Sequence, residues 1–182
     1  MIDTRIDPSF PRNALHARVG WEHAWFGEAT VPGGRTPAAA ASRWTNDVRG
    51  YAGVGGSAVL ALRAQLIRSD AALPLAEQSL LGGSETVRGY RTGHRAGDNL
   101  AAVSAELRVP VNSPLSVGRF GVKAFVDAGT VWDAGQRLRD RPFDRGIGGG
   151  IYLGAAAVMA DIDVAWPKEG GARAHFGLGV SF

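Results

Sequence analysis

The closing stretch Arg173-Ala174-His175-Phe176-Gly177-Leu178-Gly179-Val180-Ser181-Phe182 alternates without a break. Ala174, Phe176, Leu178, Val180 and Phe182 fall on one face of an extended chain, and Arg173, His175, Gly177, Gly179 and Ser181 fall on the other. Successive side chains of a strand point to opposite faces. The segment is therefore apolar on one side and polar or small on the other for about ten residues, the length and pattern of a strand that crosses a bilayer.

The same period recurs upstream. Ala101, Val103, Ala105, Leu107 and Val109 oppose Ser104, Glu106 and Arg108; Phe120, Val122, Ala124 and Val126 oppose Lys123 and Asp127; Ile162, Val164 and Trp166 oppose Asp161 and Asp163. Each polar face carries ionisable groups, which the core of a soluble sandwich would not tolerate unpaired. Ser57 to Ser69 sets Val59, Ala61, Arg63 and Gln65 against Leu60, Leu62 and Leu66. Ala14 to Phe26, Ser42 to Val54 and Gly146 to Gly154 are further candidates, which gives about eight strands in all.

Composition agrees with many short strands and turns. The 182 residues include 26 Gly and 9 Pro, with 8% aromatics. Cysteine is absent, which removes disulfides and thiolate metal sites. The net charge of +3 comes from basic residues scattered among acidic ones, with no stripe for a phosphate backbone, so nucleic acid is not an expected partner. The longest uncharged stretch, Gly146 to Ala160, is interrupted by Gly146, Gly148, Gly149, Gly150 and Gly154. It falls short of the roughly 18 to 20 apolar residues of a membrane helix. A membrane protein without such a helix is a closed barrel, because lipid satisfies no backbone amide. Met1 to Asp7 has no apolar core of the kind an export signal needs, which implies an excised piece or a signal further upstream.

Trp21, Trp25, Trp44, Trp132 and Trp166 lie toward strand ends, where amphipathic rings form a belt at headgroup level; ordinary core tryptophans are the alternative. Glu28 to Ala41 and Ala134 to Asp144 read as loops, and Leu73 to Leu80 as one or two helical turns.

Three pieces complete the pattern: Leu81-Gly82-Gly83-Ser84-Glu85-Thr86-Val87-Arg88-Gly89-Tyr90, then Glu106 in its strand, then Phe125-Val126-Asp127-Ala128-Gly129. With the aromatic C-terminus, and Asp3-Thr4-Arg5 through Phe10-Pro11 resembling the turn before a mid-barrel strand, this ordered set resembles the BamA/TamA-type outer-membrane insertases and their relatives, the two-partner secretion translocators. The resemblance implies an all-β fold: a transmembrane antiparallel β-barrel in which residues 1–182 are the C-terminal portion, about eight meander strands of sixteen. It implies that a loop over residues 71–98 folds into the lumen, with Arg88 at its tip, Gly89 allowing the tight turn, Tyr90 packed beside it, and Glu106 and Asp127 as carboxylate partners on the wall. The physics is consistent, since a guanidinium gives a carboxylate two parallel hydrogen bonds that lysine cannot copy. A solvated arginine in a glycine-rich turn is the plain reading of Arg88 alone. His175, Gly177, Val180 and Phe182 resemble the C-terminal signal by which outer-membrane barrels are recognised.

Catalytic motifs are missing. Ser57 and Ser84 follow glycine pairs but lack the second glycine of a G-x-S-x-G elbow, the glycines at 146–150 lack dinucleotide spacing, and His16, His23, His94 and His175 lack metal-ligand spacing. Asp161 and Asp163 share a face and could pair as acid and base, although carboxylates in a wet lumen commonly bind water. The expectation is a non-enzymatic outer-membrane barrel without cofactor that inserts or secretes client proteins. Its partners would be the lipid bilayer, outer-membrane or secreted clients, and the barrel-assembly machinery. The alternative is the barrel anchor of a patatin-like phospholipase.

The topology follows. Long excursions near Ala71 to Asp98 and Ala134 to Asp144 are expected on one rim, with short turns opposite near Pro110 to Pro114 and Pro167 to Gly171. A barrel of only eight strands is just filled by side chains and leaves no room for a loop. An open, curved half-barrel is therefore expected, with edges at Ala14 to Phe26 and Ala174 to Phe182.

Overall fold

The computed structural model describes residues 1–7, 10–27, 36–111, 119–155 and 158–180, with only the backbone described at Ala155 and Val180. Phe182 lies outside these residues, as do 112–118, where the Pro114 end of one expected turn falls, and 28–35 of the first expected loop. The strands are β1 (Ile2–Asp3), β2 (Ala14–Trp25), β3 (Ala40–Gly53), β4 (Val59–Ser69), β5 (Ser79–Leu81), β6 (Arg95–Gly97), β7 (Asn99–Val111), β8 (Arg119–Trp132), β9 (Asp144–Ala155), β10 (Val158–Pro167) and β11 (Arg173–Val180). Two single 3-10 turns, Leu75–Glu77 and Leu138–Asp140, are the helical elements among the described residues, and no helix is long and apolar enough to cross a membrane.

The eight long strands form an antiparallel meander, with β1 added beside β2 and the β5–β6 hairpin set apart from the sheet. The ends of the sheet do not pair with each other, so the sheet is open. It is also strongly curved. Strands lie about 4.8 Å apart, yet the adjacent residues Arg88 and Gly89 bond to β7 and to β11 at opposite ends of a five-strand run.

Alternation decides which face is which. Val103, Leu107, Val122, Val126, Ile162, Val164, Phe176 and Leu178 are exposed on the convex side, where lipid would cover them. Glu106, Asp127 and Asp163 are buried on the concave side. The apolar core lies on the concave side as well: Leu81 and Val87 of the 70–98 loop pack on Leu100, Ala102 and Val131, flanked by Ile67 and Tyr90. Leu81 and Val87 are fully buried, which favours the inserted loop by roughly 1.5 to 3 kcal/mol each.

The antiparallel order places the 26–39, 70–98, 133–143 and 168–172 connections on one rim. Pro167 to Gly171 therefore sits beside the long loops and not opposite them, which corrects the expected topology. Two strands, β9 and β10, separate that turn from the 133–143 loop, and the reversal between them falls at 155–158, where Ala155-Ala156-Ala157-Val158 carries no glycine or proline to announce it. Pro110 also differs from expectation, because it is still paired, with Gly121, inside the β7–β8 ladder.

Trp21, Trp25, Trp44 and Trp166 are exposed and gathered toward the long-loop rim, with His23 packed on Trp21 and Trp25 at ring distances of 6.4 and 4.6 Å. Trp132 departs from the belt. It is buried, with the Arg68 guanidinium 5.7 Å from its ring centroid and its carbonyl accepting from Asn99 Nδ2 at 3.1 Å.

Candidate functional site in the lumen

The 70–98 loop is anchored at its base before it enters the lumen. Asn99 Oδ1 accepts from the Ser69 amide at 2.9 Å, so one side chain joins the ends of β4, β7 and, through Trp132, β8. Buried Asp98 accepts from the Leu73 amide at 3.0 Å and the Ala134 amide at 2.7 Å, which ties this loop to the next. The β5–β6 hairpin then carries the chain inward with Ser79 opposite Gly97 and Leu81 opposite Arg95.

The tip is shaped by glycine. Gly82, Gly83 and Gly89 have φ of 104°, 85° and 99°, values that side-chain-bearing residues rarely adopt. A Cβ on Gly89 would lie 2.9 Å from the Pro167 nitrogen, so the backbone passes the end of β10 too closely for any side chain. Two local bonds close the tip: the Gly83 amide to the Tyr90 carbonyl at 2.9 Å and the Gly82 amide to Thr86 Oγ1 at 2.8 Å. Tyr90 packs against His94 with ring centroids 4.6 Å apart.

Arg88 points from this tip into a ring of carboxylates. Its Nε and Nη2 donate to the two oxygens of Asp127 at 2.8 and 2.9 Å, the two-pronged geometry. Nη1 donates to Glu106 Oε2 at 2.6 Å and to Asp163 Oδ2 at 3.1 Å. The backbone amide of Arg88 also reaches Asp127, at 3.1 Å. Its guanidinium carbon lies 3.3 Å from the Phe125 ring centroid, so the ring forms one wall of the charge's seat.

Each carboxylate has a second partner. Ser104 Oγ donates to Asp127 at 2.6 Å, Arg108 Nε to Glu106 at 2.7 Å, and Lys123 Nζ lies 2.9 Å from Asp163 and 3.7 Å from Asp161. The cluster thus joins β7, β8, β10 and the loop through alternating charges. A separate tether runs from Arg63, bound to Asp47, to the Glu85 carbonyl at 2.9 Å.

Arg88, Glu106 and Asp127 are therefore brought together, with Gly89 and Tyr90 beside them. Sequence reasoning left Asp163, Ser104 and Phe125 out of this group, although alternation had already turned Asp163 and Ser104 inward. Asp161 and Asp163 are engaged by Lys123 and Arg88, where simple hydration was expected. His175 faces the lumen and its Nε2 accepts from the Gly89 amide at 2.9 Å. Gly177 also faces inward, where a Cβ would strike the Asp161 carboxylate. Val180 pairs with Val158 in the β10–β11 ladder.

The glycines near 150 have a steric role. Gly146, Gly148 and Gly150 lie on the inner face of β9 between Asp144 and Tyr152, and a Cβ at each would meet the Arg88 carbonyl, the Val164 carbonyl with the Phe125 ring, and the Asp163 carboxylate respectively. Among the described residues no group of histidine and acidic side chains has the arrangement of a metal site.

An open meander with an in-folded loop can be set against known proteins. Among curated proteins no match is found. Among solved structures the chain is similar to CdiB from Escherichia coli, with a TM-score of 0.71 and 19% sequence identity over 93% of this chain. It covers 34% of that chain, so it spans about a third of the neighbour's length. At that identity the likeness shows the fold. The model of the Omp85 superfamily domain matches residues 1–182, and with the whole sequence matched the chain belongs to the Omp85 superfamily of outer-membrane β-barrels.

Proposed function

We propose that this chain is the C-terminal portion of a barrel that inserts client proteins into the outer membrane or secretes them across it, and that Arg88 fastens the loop at 70–98 inside the lumen during that work. The observation that carries the reading is the seat of Arg88. A glycine-rich surface loop has no evident reason to carry an arginine into a pocket of three nearly buried carboxylates, at 4% exposure for Asp127, 6% for Glu106 and 1% for Asp163, unless its position matters. Burying such ions is costly and is tolerated here because every carboxylate is paired at least once. The fastened loop occupies the lumen, so a passenger or client strand must move along the wall or displace it.

The test uses the full-length protein in its own membrane. Arg88→Ala is expected to lower client secretion or assembly at equal barrel abundance, with Arg88→Lys rescuing poorly because the two-pronged bond to Asp127 is lost. Full activity in Arg88→Ala would overturn the proposed role of the loop. The sequence upstream separates the nearest alternatives: periplasmic POTRA repeats support insertion or secretion, and a Gly-x-Ser-x-Gly hydrolase domain supports a phospholipase anchor.

A further inference from the structure

The convex wall carries a trough that the lumen chemistry does not use. It encloses about 700 Å³, within the size range of ligand pockets. Its shape follows from one transverse row of the sheet. Leu62 of β4 is level with Ala105 of β7, then Val126 of β8, Ile147 of β9 and Trp166 of β10. The next row toward the long-loop rim runs Val103, Ala128, Arg145. Ala105 and Ala128 are the low points between larger neighbours, so the depression reaches down to the backbone there, and its lining is almost wholly apolar.

The rim end of the trough is cationic. Arg145 is exposed on the convex face, and exposed Lys168 is held beside it because the Lys168 amide donates to the Arg145 carbonyl at 3.0 Å. Asp144, next to Arg145, is turned the other way and pairs with Arg95. Glu169 shares the turn with Lys168, which leaves these three side chains with one net positive charge. Trp166 stands at the same end, exposed, where aromatic rings take up headgroup level.

We infer that this trough seats a membrane lipid bearing a phosphate headgroup, its acyl chain lying over Ala105 and Ala128 and its phosphate at Arg145 and Lys168. Apolar walls select a hydrocarbon chain. Positive charge at the one end that lies at headgroup level selects an anion, and the rim that carries the longer loops is the external one in outer-membrane barrels, which assigns the lipid to the outer leaflet.

The full-length protein would be reconstituted in phosphatidylcholine vesicles with roughly one lipid in ten replaced by phosphatidylglycerol, each lipid in turn carrying a photoreactive diazirine in its acyl chain. Label on peptides of β8 and β9 would be measured by mass spectrometry. At about the worth of one basic side chain, phosphatidylglycerol should label about fivefold more per mole than phosphatidylcholine. Arg145→Gln with Lys168→Gln should remove that preference, while Arg139→Gln, in the 133–143 loop, should leave it. Ala128→Leu, which fills the floor, should lower labelling by both lipids. Equal labelling in the unaltered protein, or a preference indifferent to the double substitution, would mean that bulk lipid fills the trough and would overturn the inference. Competition by free inorganic phosphate would reassign the rim to a soluble anion and overturn the lipid assignment.

Discussion

Replacing Arg88 by alanine should release the loop from the lumen, and the structure says how strongly. Three carboxylates lose a partner, but they do not suffer equally. Glu106 keeps Arg108 and Asp163 keeps Lys123. Asp127 keeps only the Ser104 hydroxyl and an amide of the loop itself, so the main deficit is one buried carboxylate. Removing one partner of a buried ion pair costs about 3 to 5 kcal/mol. With Ser104 retained the expectation is the lower end, about 3 kcal/mol, or roughly a hundredfold in the ratio of docked to released loop. Hydrogen exchange over residues 79–97 of the full-length protein in vesicles reads that ratio directly, through the amides of residues 88 and 89, which are bonded to Asp127 and His175 of the wall only in the docked state. Arg88→Lys should behave much like alanine. Arg88→Met combined with Asp127→Asn should exchange more slowly than Arg88→Met alone, because the stranded charge is gone. Exchange in Arg88→Ala within about threefold of the unaltered protein would refute the reasoning, and would mean that Leu81 and Val87 hold the loop by themselves.

Gly146→Ala adds a methyl where the Arg88 carbonyl stands, so it should raise exchange across the loop while every charge remains. Gly89→Ala meets both the Pro167 nitrogen and an unfavourable φ and should cost about 1 to 3 kcal/mol, seen in the same experiment. Asn99→Ala leaves the Ser69 amide unbonded and should lower barrel stability by about 1 to 3 kcal/mol, measured as a shift in the urea midpoint of the protein in vesicles. Val126→Arg, on the convex face, should cost about 2 to 4 kcal/mol by that assay if the face meets lipid and almost nothing if it meets water.

The strands were legible because a lipid-facing wall enforces period two with few exceptions, and positions such as Val126 and Asp127 show opposite environments one residue apart. Arg88, Glu106 and Asp127 could be grouped only through a family resemblance. The alternation that turned Asp163 inward could not say how far the sheet curves, and the curvature is what carries β10 within reach of a residue already bound to β7. Trp132 misled because an aromatic at a strand end fits a headgroup belt and a buried loop base equally well. The Pro167 turn was placed on the wrong rim for a local reason: the reversal before it lacks turn residues, and one unseen hairpin inverts every later rim. Asp98 and Asn99 gave no signal, since their work is bonding backbone groups brought together by the fold.

The run of glycines on the inner face of β9 makes a distinctive demand on variation. Most strands restrict which side chains are present, whereas here three alternate positions are defined by having none, and Gly146, Gly148 and Gly150 can change only by adding atoms to space already taken. Their neighbours Ile147, Ile151 and Leu153 need only remain apolar. Under random substitution, this strand should read as a dashed line, with intolerance at every second residue recording the close approach of the loop at Gly146 and of the neighbouring wall strands at Gly148 and Gly150.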